Sequence, residues 1–85
     1  MSASKIKKLI DNFDYAQQDE GWNDCKAAEA MQSGANRDVV EEYENARDMA
    51  SDDMFYIRDE IIKLNPSKYM IKKYPLLEDI IEDRF

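Results

Sequence analysis

From residue 43 onward the apolar positions keep a regular rhythm. Tyr43, Arg47, Ala50, Met54, Ile57, Ile61 and Leu64 succeed one another at spacings of 4, 3, 4, 3, 4 and 3. That rhythm keeps one side of an α-helix turned toward a partner surface. Arg47 interrupts it, and Ala46 beside it can fill the seam instead. No run alternates apolar with polar residues, and no Asn-Gly or Asp-Gly pair marks a turn between strands. The pattern predicts an all-α chain in which helix packs on helix.

The chain divides into three helical regions. The first starts after Ser4, a good N-cap, and runs to about Met31. Ile6, Leu9, Ile10, Phe13, Ala16, Ala27, Ala28 and Met31 gather on one side at 100° per residue, interrupted by Gln17, Glu20 and Asp24. Gly21 costs about 1 kcal/mol against Ala inside a helix, so a bend or break is expected near residues 19–22. In the connection Gln32-Ser33-Gly34-Ala35-Asn36, Gly34 can take a positive φ, and Asn36 or Ser33 can cap the next helix. The second helix spans about Arg37 to Leu64, roughly 42 Å at 1.5 Å per residue. Asp38 suits its positive N-terminal end.

Asn65-Pro66 stops that helix, since the residue before proline avoids the α region. Pro66 then suits the first turn of a third region. There Met70, Tyr74, Leu77 and Ile81 form a 4-3-4 stripe, and Pro75 splits off a final helix over 75–84. The expected fold is a hairpin of two long helices with a short C-terminal helical segment folded back on it, forming one domain over residues 1–85.

A single seam does not use up the apolar surface of the second helix. Met54-Phe55-Tyr56-Ile57 is apolar all round, and Ile61-Ile62 repeats the theme. Phe55 and Ile62 lie away from the seam on one side, Met49 and Tyr56 on another. A helix apolar on several faces is buried on several faces. Either the first helix and the C-terminal segment cover them, or a second copy does, giving an oligomeric bundle. If the first helix is continuous, Lys8, Tyr15, Trp22 and Lys26 share the side opposite its apolar stripe. If it breaks at Gly21, Trp22 rejoins the core. An aromatic pair flanked by lysines can anchor a protein contact, or stack a nucleobase and neutralise its phosphate.

Charge narrows the choice of partner. Nineteen acidic against twelve basic residues leave a net charge of −7, with a pI near 4.5. Loose attraction to nucleic acid or to an anionic membrane is disfavoured; a basic protein, or a site that normally takes nucleic acid, is favoured. The chain of 85 residues contains one cysteine, Cys25, and no histidine. A cytoplasmic location is expected from the single thiol, the lack of a long apolar leader, and the lack of the roughly 18 consecutive apolar residues that span a bilayer.

Catalytic groups are scarce. Triads that need histidine are excluded, zinc lacks ligands, and no Gly-rich loop could cradle a phosphate. Cys25 has no base beside it and reads as a structural thiol. No cofactor is implied. Glu41-x-x-Glu44 has the spacing of the carboxylate pairs that hold magnesium in helical nucleotide pyrophosphohydrolases. Asp79-x-x-Glu82, however, has the wrong order for a second pair.

Glu41, Glu44, Asp48, Asp52 and Asp59 form an acidic ridge along the second helix, diluted by Arg37, Arg47 and Arg58. The ridge is either a solvated face or a rough copy of a phosphate backbone. In size, acidity and lack of catalytic groups the chain resembles small phage-type regulators and inhibitors, although no motif carries that likeness.

The reading is therefore a non-enzymatic binding protein, an inhibitor or regulator that occupies a partner's surface. Its expected contact residues are Tyr15, Trp22, Phe55 and Tyr56, supported by Lys8 and Lys26. The alternatives are a nucleic-acid-mimicking inhibitor acting through the ridge, and an oligomer that binds a small nucleotide on the aromatic-lysine side.

Overall fold

A computed structural model describes residues 3–83, which fold as an all-α helical hairpin. Helix α1 (Ala3–Gln32) and helix α2 (Arg37–Lys63) pack along their length. Two short helices, α3 (Lys68–Lys73) and α4 (Pro75–Ile81), fold back over the end at which α1 begins and α2 ends. The molecule is a rod of 50 × 18 × 17 Å.

The seam of α2 lies where the 3-4 rhythm places it. Ala50, Met54, Ile57 and Ile61 are buried, Tyr43 and Leu64 are half-buried, and the rhythm reaches back to a buried Val40. Arg47 does not leave a hole: its guanidinium bridges to Asp24 of α1 at 3.1 Å and to Asp48 at 3.2 Å. These hydrogen bonds, the one to Asp24 foremost, raise its pKa further, so Arg47 is a permanent cation.

Helix α1 differs from expectation in three respects. It begins by Ala3, so Ser4 lies inside the helix and does not cap it. It runs unbroken through Gly21, which faces open space; nothing there rewards a break. Its buried side is Ile6, Ile10, Phe13, Ala16, Asn23, Ala27 and Ala30, while Ala28 and Met31 are exposed. With half-buried Glu20 included, these positions also step by three and four. Polar Glu20 and Asn23 mask that rhythm in the sequence. Asn23 is accommodated because its amide donates to the Asp19 carbonyl at 2.9 Å within its own helix.

The turns obey their residues closely. Gly34 takes φ 74°, and the Asn36 side chain accepts a hydrogen bond from the Asp38 N–H at 3.2 Å, capping α2. Asn65 adopts a left-handed φ of 49°, a conformation that asparagine tolerates better than most residues. Pro66 stands outside the next helix, whose cap is Ser67 through a bond from the Met70 N–H. Pro75 is the first residue of α4, as its fixed φ and missing N–H favour. The final helix stops at Ile81, earlier than expected, and Asp83 has φ 59°.

The break at Tyr74-Pro75 resets the stripe of the C-terminal segment. Ile80, rather than Ile81, joins Met70 and Leu77 in the core, with Tyr74 and Ile81 half-buried at its edge. Phe13, Ile61, Leu77 and Ile80 expose essentially nothing, each contributing roughly 1.5–3 kcal/mol by burial. Arg58 fastens the layer: Nε and one terminal nitrogen donate to the carbonyls of Ile80 and Ile81 at 3.0 and 3.1 Å. Those carbonyls lie at the end of α4 and carry its partial negative charge, and that of Ile80 also accepts from the Asp83 N–H at 3.2 Å.

Candidate interaction surface

The C-terminal segment covers one end of the hairpin and leaves a long flank open. On that flank Tyr15 is 73% exposed, Tyr56 66% and Trp22 56%. Trp22 does not stand opposite the apolar stripe, as its place in the sequence suggested. Its ring meets Tyr43 of α2 edge-on, with centroids 6.1 Å apart and planes at 71°, and the Lys26 ammonium lies 5.5 Å from its centroid. The straight path of α1 through Gly21 produces this, because the buried side drifts around an unbroken helix and carries Trp22 to the border of the seam.

Lys26 is itself held by Glu29 at 3.3 Å. Trp22 is therefore a clamped ring that stays 56% exposed, and the clamping lowers the entropy lost on binding.

One turn and more toward the helix start, Tyr15 and Tyr56 line a single open depression of about 250 Å³, with Asn12, Asp19 and Asp53 around it. Ala16 of α1 and Ala50 of α2 are buried at this level, and their small side chains leave the recess. A shallower hollow lined by Tyr15, Gln18, Asp19 and Trp22 continues the surface toward Trp22.

The other expected site residues are placed elsewhere. Lys8 is exposed and takes no part in the ring contacts of this flank. Phe55 and Ile62, 47% and 42% exposed, lie on the side of α2 that carries Arg58 and faces α4. The structure thus joins Tyr15 with Tyr56 and Trp22 with Lys26, and separates Phe55 and Lys8 from them. Asn12, Asp19 and Asp53 were not among the expected site residues. An antiparallel hairpin folded about Gly34-Ala35 sets Tyr15 and Tyr56 nearly level, and that signal could have found them.

In the acidic ridge Glu41, Asp48, Asp52 and Asp59 are exposed and Glu44 is half-buried. Glu41 is bound to Arg37 at 3.0 Å and Asp48 to Arg47 at 3.2 Å, so cations interrupt the ridge. Among the described residues no three of His, Cys, Asp or Glu gather in a way that would hold a metal ion. No described helix is long and apolar enough to cross a membrane. Comparison with protein-family models, with curated proteins and with solved structures finds no match to this chain.

Proposed function

We propose that the chain is a non-enzymatic binding protein, a regulator or inhibitor that covers a surface of a protein partner with the flank carrying Tyr15, Trp22 and Tyr56. The observation that carries this reading is the joint exposure of these three large aromatic side chains on one flank, with Trp22 already clamped by Tyr43 and Lys26. Clustered, pre-set aromatic side chains are the usual anchors of protein interfaces. The ion pairs of Glu41 and Asp48 weigh against mimicry of a continuous phosphate backbone. The commitment of Lys26 to Glu29 weighs against a nucleotide phosphate at the same place.

The test is affinity capture from a native extract with the wild-type chain, Trp22→Ala and Tyr56→Ala side by side. The reading expects a partner retained by the wild type and lost, by about tenfold or more in affinity, from both variants. A partner held equally by all three would overturn it. Trp22 is the sole tryptophan, so its fluorescence reports the same contact directly. Steep loss of binding with salt, together with failure of Glu44→Gln, Asp48→Asn and Asp52→Asn, would support the acidic-ridge alternative instead.

A further inference from the structure

We propose that the depression between Tyr15 and Tyr56 is a socket for one arginine side chain of the partner; this rests on the surface reading above. The floor is small because two alanines, Ala16 and Ala50, meet there, and the two tyrosines stand beside it. At its rim are Asp19, one turn after Tyr15, and Asp53, almost one turn before Tyr56.

Like Asp52 and Asp59, these two carboxylates take part in no ion pair among the described residues, but they alone stand at the recess. Asp11, Asp24, Glu29, Glu41 and Asp48 each have a cation within 3.3 Å. Among the described residues Asp19 accepts only the Asn23 amide at 3.4 Å, and Asp53 meets no cation.

Two unneutralised carboxylates beside two exposed phenol rings suit a guanidinium. Its plane can lie on a ring while its fork of N–H groups donates to a carboxylate. An ammonium has the charge without the plane or the fork. The net charge of −7 repels a second copy of this chain and attracts a basic surface, so the occupant belongs to a basic protein.

The probe is a blocked tripeptide, acetyl-Gly-Arg-Gly-amide, titrated into the isotopically labelled full chain at millimolar concentration. Saturable NMR shifts are expected at Asn12, Asp19, Asp53 and Tyr56, with a smaller change at the Trp22 indole. The citrulline tripeptide, neutral but of the same shape, should bind about tenfold more weakly. So should the Asp19→Asn, Asp53→Asn double variant, whose positions are exposed and whose circular dichroism should match the wild type.

Shifts that never saturate, or that are equally large at Asp52 and Asp59, would mean diffuse attraction and would overturn the socket. The captured partner separates the two proposals. Loss on Tyr56→Ala with full binding by the double Asn variant overturns the socket and leaves the surface reading standing. Full binding by both overturns the surface reading as well.

Discussion

The two ends of the hairpin are built differently. At the terminal end three layers meet: α1 gives Ile6, Ile10 and Phe13, α2 gives Met54, Ile57 and Ile61, and the C-terminal segment gives Met70, Leu77 and Ile80. At the loop end two helices stand alone on Asn23, Ala27, Ala30, Val40 and half-buried Tyr43, with the Arg47–Asp24 bridge across them. Large side chains that bury completely stabilise one end. The other has small side chains, a buried amide and a solvent-facing ion pair, each of which contributes little. The exposed Trp22 lies on the thinner half, and the Tyr15–Tyr56 recess lies where the two halves meet. Binding surface and stabilising core are therefore largely segregated along the rod.

This contrast is open to direct challenge. The largest effect is expected from Leu77→Ala, which empties the centre of the three-layered end. It should cost about 2–5 kcal/mol, a large share of the stability of an 85-residue chain, and shift the urea midpoint strongly. A loss below about 1 kcal/mol would mean that the C-terminal layer adds little to the core.

Arg58→Met comes next. It leaves the Ile80 and Ile81 carbonyls without their charged donor and should cost about 1.5–3 kcal/mol. Amide exchange should quicken in α4 well before it does in α1. Uniform quickening along the chain would show that the two ends unfold as one unit.

Gly21→Ala tests the thinner half in the opposite direction. The added methyl group meets open space on a continuous helix, so stability should rise by about 0.5–1 kcal/mol, read as a higher melting temperature. Destabilisation would mean that α1 bends at Gly21 after all. The smallest effect is expected from Asp24→Asn. Arg47 keeps Asp48, so the melting temperature should fall by less than about 3 °C, and the difference should vanish in high salt.

The α2 seam was legible in the sequence because every large residue in it except Arg47 is apolar, and Arg47 reaches Asp24 and Asp48 from the edge of the helix. The same reading placed Ala27 correctly but missed the rest of the buried side of α1 after Ala16, taking exposed Ala28 and Met31 for part of it. There the seam is built from Glu20, Asn23 and two alanines, and residue polarity no longer reports which side faces inward. Met31 is large and apolar yet exposed, at the edge of an open hollow that it lines with Val40, Glu41 and Glu44 of α2. The aromatic flank was half legible. Tyr15 and Trp22 could be picked out as surplus to one helix, and Tyr56 as surplus to the other. That Tyr15 and Tyr56 share a recess, while Phe55 sits on the far side with α4, depended on how the helices pair.

Helix content, the placing of the turns at Gly34 and Asn65, and the packed side of α2 came from local chemistry: propensity, capping and a 3-4 spacing act within a few residues. Which residues of α1 are buried, where Arg47 and Arg58 find their acceptors, and which aromatic side chains remain open depended on the mutual register of segments distant along the chain. Burial is a property of pairs of surfaces, and a rod made of two helices has flanks that neither helix defines alone.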